Sequence, residues 1–418
     1  MAGQTVEARA ARPGILASFS LFGDRGYRSY WLANFVYFLV FGAQRFAFVL
    51  LVLELSENKG LGGVVGFALG IPAFFITVPA GVWADRLDRR KMVIGSNLAG
   101  AGVAGAVAAL AWAGAISVPL AMALALATGL VTASVQPPLT SIVQMIVPVE
   151  RLTHGIVLRT MGQNLAQFFG TALGGLSIAM LGYGGAFAVL AGGYLIGVLA
   201  MLGVRLPVAA ASTAARPKMW AAAKESARFV FSDPALRGLV IFSVISGLFM
   251  LGPTFVLIPQ IGREKLEVGP GPNSLLLALM GVGMFCMSLF LLTRREMHRK
   301  GHWFVVNLLF AGPLMVLTGW SGTYWFTAVV MTLWGLGGGV YVNLNQTLIQ
   351  TNTPNAMMGR VMSIYTLSIA GIIPLGSLLA GVGAASIGAD RYQMLSGGIL
   401  TAAAVWGFFA LRELRDLD

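Results

Sequence analysis

Twelve apolar segments of about 20 residues each, separated by short polar stretches, fill this chain. They run roughly over 30–53, 62–82, 92–113, 117–136, 158–181, 184–203, 236–258, 273–293, 302–319, 323–344, 361–383 and 393–411. About 20 apolar residues are what a helix needs to cross a hydrocarbon layer ~30 Å thick. In lipid each backbone N–H and C=O must be bonded within its own segment, so such runs form helices. The expected fold is therefore an all-α membrane protein with twelve transmembrane helices. Only 11% of the 418 residues are charged, against ~25% in a soluble domain. The 54 glycines suit helices that must approach closely, because apolar side chains gain little by leaving lipid for one another.

A net charge of +12 could suggest a nucleic-acid partner, but the charges lie between the segments, so none is expected. With both termini placed in the cytoplasm, 22 Lys and Arg fall on the cytoplasmic side and 4 (Lys59, Arg263, Lys265 and Arg391) outside. That asymmetry is the positive-inside pattern. Only Arg45 and Arg159 fall within spans. The N-terminal stretch lacks the apolar core and cleavage site of a leader peptide, and the first span is expected to act as an uncleaved insertion signal. The single Cys286 offers no disulfide framework.

The chain repeats internally. Residues 142–175 and 348–381 align at an offset of 206, matching Gln144 with Gln350, Pro148 with Pro354, Thr160 with Thr366, Gly170 with Gly376 and Gly175 with Gly381. The expected organisation is a cytoplasmic segment over 1–29, a six-helix bundle over 30–203, a linker over 204–235 and a second six-helix bundle over 236–418. Within the linker, Trp220, Ala223, Ala227 and Phe231 recur at helical spacing, which predicts an amphipathic helix lying on the membrane surface.

Between the second and third segments the chain reads Gly81-Val-Trp-Ala-Asp85-Arg86-Leu-Asp-Arg89-Arg90-Lys. This resembles the loop between helices 2 and 3 of the major facilitator superfamily. Pro137-Pro138, and the stretch Asn343-Leu-Asn-Gln-Thr-Leu-Ile-Gln350 leading to Pro354 and Gly359-Arg360, resemble the bacterial branch that includes enterobactin and macrolide exporters. The resemblance implies two pseudo-symmetric six-helix bundles that rock against each other. It also implies a conformational latch built from Gly81, Asp85, Arg86, Arg89, Arg90 and Arg360. Asp85 would face the start of the eleventh helix, as a carboxylate pairs with a helix N-terminus and a nearby Arg. Arg89 and Arg90 would meet the closing surface or anionic membrane lipid. The alternative is that these charges only set topology. The corresponding loop of the second half, Thr293-Arg-Arg-Glu-Met-His-Arg-Lys300, lacks the Gly and Asp. Gly170, Gly174 and Gly175 resemble part of a glycine-rich exporter element with Thr171 in place of Pro; spacing alone reads them as helix-packing positions.

In the first span Asn34, Tyr37, Phe41, Gln44 and Phe48 share one face, and Arg45 borders it. An Arg at a helix centre costs ~2.5–3.5 kcal/mol on insertion scales, so Arg45 should face protein or a watery cavity. The resemblance implies that helices 1, 4, 7 and 10 line a central cavity. Asn34, Tyr37, Gln44 and Arg45 are then candidate substrate contacts, with Arg45 favouring an anionic or acceptor-rich ligand; packing between helices is the alternative. Gln163, Asn164 and Gln167, beside Arg159, form the most polar stripe of any span and either line the cavity or bond between the halves. Trp334, Tyr341 and Asn343 are further candidates, with packing or helix capping as the alternative. His298 and His302 lack metal-site companions, so no metal and no cofactor is expected.

No phosphate-binding Gly-x-x-x-x-Gly-Lys-Ser/Thr loop occurs, so a gradient should drive the work, and H+ is the ion the resemblance implies. No acid lies at mid-span to carry it. The expected activity is export of a small amphipathic, anionic or acceptor-rich molecule by a monomer in a bacterial inner membrane, through rocker-switch alternating access. An importer of the same architecture, or a non-transporting sensor or scaffold, are the alternatives. No clustered intramembrane nucleophiles or acids point to an enzyme.

Overall fold

The computed structural model describes residues 20–56, 58–148, 151–206, 219–293, 298–354 and 357–417, with side chains throughout except at 77–86, 153, 219–224, 292–293 and 359. Twelve spans can be followed. They are α1 Arg25–Leu55, α2 Leu61–Arg86, α3 Arg89–Trp112, α4 Val118–Ile146, α5 and α6 as two arms of the stretch Leu152–Leu202, α7 Pro234–Glu264, α8 Pro270–Thr293, α9 Lys300–Trp320, α10 Tyr324–Thr351, α11 over 358–387 and α12 Ala389–Ala410. Among the described residues ten stretches are long and apolar enough to cross a lipid layer; α5 and α6 share one of them, and α2 adds an apolar run over Leu61–Ile76. A linker helix, Met219–Ser232, precedes α7.

The starts of α1, α3 and α7 are set by aspartates. Asp24 accepts from the Tyr27 backbone N–H, Asp88 from Arg90 and Lys91, and Asp233 from Ala235 and Leu236. Each satisfies N–H groups that a helix start leaves open. One reversal in each bundle, at the same place in the repeat, is set by glycine. Gly182 between α5 and α6 has φ 68°, and Gly388 between α11 and α12 has φ 93°, a region that side chains with a Cβ avoid. These two glycines are 206 residues apart, the offset of the sequence repeat.

The repeat has a structural meaning. A Cβ on Gly170 would overlap the Leu39 carbonyl of α1, and one on Gly174 would lie 2.8 Å from the Ala43 carbonyl. In the second half a Cβ on Gly376 would lie 2.5 Å from the Gly247 carbonyl of α7. Glycine thus brings α5 onto α1 and α11 onto α7 at backbone distance, where dispersion and weak polar contacts replace the missing hydrophobic drive.

The two bundles meet along two seams. On one, α5 lies on α8, with Gly175 against Pro270 and Ser274. On the other, α11 lies on α2, with Gly381 against Gly60 and Gly63 and with Gly70 against Pro374. The Gly175 and Gly381 contacts lie toward the end of the molecule that carries Lys59 and Glu264. Toward the opposite end, which carries Arg89, the first part of α11 packs on the linker helix, α10 and α7. Large apolar side chains such as Trp112, Trp320, Trp325 and Phe409 are 67–75% exposed, an arrangement suited to lipid rather than water.

Candidate transport site

Burial divides the candidate residues of α1. Asn34, Tyr37, Gln44 and Phe48 are all buried to within 1%. Gln44 donates from Nε2 to Thr128 Oγ1 of α4 at 3.1 Å and accepts from the Tyr194 hydroxyl of α6 at 2.7 Å. The Tyr37 hydroxyl points to the Thr132 carbonyl of α4 at 3.5 Å, and Phe48 meets Phe187 of α6 edge-on. The polar face of α1 is therefore turned into the first bundle. It does not line the junction between the halves, and Gln44 is a brace joining three helices. The Asn34 amide is enclosed without a partner.

Arg45, one residue further and about 100° round the helix, leaves that interior. It is half-buried, and its guanidinium carbon lies 4.0 Å from the centre of the Phe255 ring on α7. Among the described residues it has no hydrogen bond and no ion pair. Phe255 in turn stacks on Phe168 of α5, with centroids 6.5 Å apart and planes 27° apart. A Cβ on Gly281 of α8 would overlap the Phe168 side chain. A cation from the first half and an aromatic ring from the second thus meet where four helices of both halves converge. A single Phe within an apolar run carries no sequence signal, so Phe255 and Phe168 were not foreseeable as partners of Arg45.

The α5 stripe is less uniform than its spacing suggested. Arg159 donates to the Gln163 side chain at 3.3 Å, Asn164 is exposed, and Gln167 is half-buried with its backbone pressed against Gly42 of α1. In α10 Trp334 and Tyr341 are buried to within 1%, so they belong to the second bundle's interior rather than to an open wall. Tyr341 stacks on Phe304 with centroids 5.6 Å apart. Asn343 is exposed and donates to Ser288 of α8 at 3.1 Å and to the Gly339 carbonyl at 2.7 Å.

Of the latch residues, Gly81, Asp85 and Arg86 lie in the last turns of α2, where the side chains are outside the described residues. Arg90 donates to the Met201 carbonyl at 3.1 Å and the Leu202 carbonyl at 2.6 Å, two of the last carbonyls of α6. Arg89 reaches the Met145 sulfur of α4 at 2.7 Å. Both arginines therefore contact their own bundle in this state. Arg360 pairs with Glu225 of the linker helix at 3.0 Å. At the other end Lys59 pairs with Glu264 at 2.6 Å across the halves, beside a cleft of about 380 Å³ lined also by Glu54 and Arg263.

A family model described as transmembrane secretion effector matches residues 16–418. Macrolide efflux protein A of Streptococcus pyogenes is 23% identical over 375 residues, 88% of this chain and 92% of that protein. The multidrug efflux pump Tap of Mycolicibacterium fortuitum is 28% identical over 384 residues, 89% of this chain and 92% of that protein. A bacterial homolog of the human lysosomal transporter Spinster, solved inward-facing and occupied, has a TM-score of 0.73 at 15% identity over 95% of this chain and 99% of that one. The nucleoside transporter NupG has a TM-score of 0.71 at 14% identity, covering 92% and 98%. At these identities the two structures speak for the fold alone. The sequence match spans nearly all the residues that build the paired bundles, and the chain belongs to the transmembrane secretion effector family of the major facilitator superfamily, multi-pass transporters of the efflux type.

Proposed function

We propose that this transporter exports a small amphipathic molecule bearing an anionic or acceptor-rich group, driven by the proton gradient, as a monomer in a bacterial inner membrane with both termini cytoplasmic. The 22-to-4 distribution of basic residues supports that orientation and makes the Arg89 end the inner one. The halves are joined by glycine contacts and by Lys59–Glu264 toward the outer end, while α11 begins on its own bundle and the linker helix. We read this as the inward-open member of a rocker-switch pair.

Arg45 carries the proposal. A guanidinium within the membrane, half-buried at the junction of the halves and without a carboxylate partner among the described residues, holds its N–H donors available for a ligand's oxygens. The efflux activities named for the two relatives support the outward direction. On α5 Asn164 is exposed and Gln163 and Gln167 are half-buried, so these candidates also stay accessible to a ligand.

The test is uptake by inside-out membrane vesicles of a panel of siderophores, macrolides and dyes, with the proton gradient intact or collapsed. Gradient-dependent uptake of an acceptor-rich compound, abolished in Arg45→Ala, is expected. Uptake only by right-side-out vesicles would contradict export.

A further inference from the structure

The partner of Arg45 belongs to the opposite half of the molecule, and that fact reaches beyond substrate contact. A ring face attracts a cation through its quadrupole, so Phe255, with its ring centre 4.0 Å from the guanidinium carbon, stabilises the Arg45 charge where no carboxylate does among the described residues. The five N–H donors of a guanidinium lie in its plane and point outward. A ring partner therefore steadies the cation without placing an oxygen acceptor on its donors. Phe255 is itself held: Phe168 stacks on it, and Gly281 opens the space that Phe168 fills.

We propose that Phe255 is a positioning residue that keeps Arg45 ready for a ligand only while the halves are joined at the Lys59 end. The ligand group that fits is a planar pair of oxygens, such as a carboxylate, because two N–H bonds along one guanidinium edge match it. When the halves part at that end, α7 moves off α1, the ring leaves the guanidinium, and the ligand loses a pre-set partner. Affinity is then high in the state open at the Arg89 end and lower in the other. This gives loading at one end and release at the other without a mid-span acid. The inference rests on Arg45 being a ligand contact, as proposed above.

The test is equilibrium binding of radiolabelled 1-naphthoate to the purified full chain in nanodiscs, with uncharged 1-naphthamide as the matched control. Phe255→Leu should weaken naphthoate binding by about 2- to 30-fold, the range that cation–π contacts span between exposed and desolvated sites. Phe255→Tyr keeps a ring and should bind like the wild type, and naphthamide binding should not separate the two variants. Thermal unfolding of each variant checks that the fold is kept. Equal naphthoate binding by Phe255→Leu and wild type, equal loss in Phe255→Tyr and Phe255→Leu, or no saturable naphthoate binding would each overturn the inference. Export that still depends on Arg45 alongside any of these outcomes would leave the proposed function standing and remove Phe255 from it.

Discussion

Lys59 and Glu264 stand 205 residues apart and bring their charges to 2.6 Å, Lys59 from the turn between α1 and α2 and Glu264 from the last turn of α7. The pair ties the first bundle to the second at the end where the glycine seams lie. Gln260 donates to the other oxygen of Glu264 at 3.0 Å, which fixes the carboxylate in place. The side chains are 48% and 30% exposed, so solvent screens the pair and it contributes ~0.2–1 kcal/mol. That is enough to shift a two-state balance by about fivefold at most.

Lys59→Glu should therefore favour opening at this end, and the exchange Lys59→Glu with Glu264→Lys should restore the balance. Spin-label distances between the Lys59 ends of α2 and α11 read the shift directly. A longer-distance population that rises in the single variant and falls in the exchanged pair is expected.

The paired glycines make a symmetric stability prediction. Gly170→Val and Gly376→Val each force a side chain against a facing carbonyl, and overpacking of this kind costs ~1–3 kcal/mol. Both should lower the melting temperature by similar amounts. Gly192→Ala, where a Cβ meets nothing within 4 Å, should leave it unchanged or raise it, since alanine is the better helix former. Thermal unfolding of the purified variants decides.

Gln44 separates bracing from binding. Its amide joins Thr128 and Tyr194 in a fully buried site. Gln44→Leu leaves the Tyr194 hydroxyl without its acceptor, a loss of ~1–3 kcal/mol for a buried group. Stability should fall while ligand affinity per folded molecule stays near the wild-type value. Paired melting and binding measurements check both halves of that statement.

Arg360 offers a probe of the Arg89 end. Its partner Glu225 lies on the linker helix at 3.0 Å, with side chains 40% and 67% exposed. Glu225→Gln frees Arg360 for Asp85, the partner in the latch that the family resemblance implies. The population closed at the Arg89 end should rise within the small range an exposed pair allows, seen as slower alkylation of a cysteine placed at the Arg89 end of α10.

The paired-bundle fold was legible because lipid leaves so few options. Twelve apolar runs had to become helices, and the offset of 206 that matched Gly170 with Gly376 also relates the two reversals at Gly182 and Gly388. The surroundings of the candidate site were far less legible. Periodicity grouped Asn34, Tyr37 and Gln44 on one face, yet it cannot tell whether a polar face turns into its own bundle or toward the facing one. One residue of helix separates Gln44, enclosed among α1, α4 and α6, from Arg45 at the junction of the halves. Trp334 and Tyr341 pose the same ambiguity in α10. Partners distant in sequence, such as Phe255 for Arg45, Tyr194 for Gln44 and Glu225 for Arg360, follow from packing that no local pattern records.

Alternating access requires Arg45 to lie in a space reached in turn from the two sides. The most direct measurement places a cysteine there, Arg45→Cys with Cys286→Ser, and follows its reaction with a membrane-impermeant thiol reagent from each side. Fast reaction from the Arg89 side and slow reaction from the Lys59 side, with the Lys59-side rate raised by up to about fivefold in Lys59→Glu, is the predicted result. Reaction from neither side, or the same rate from both in every variant, would contradict it.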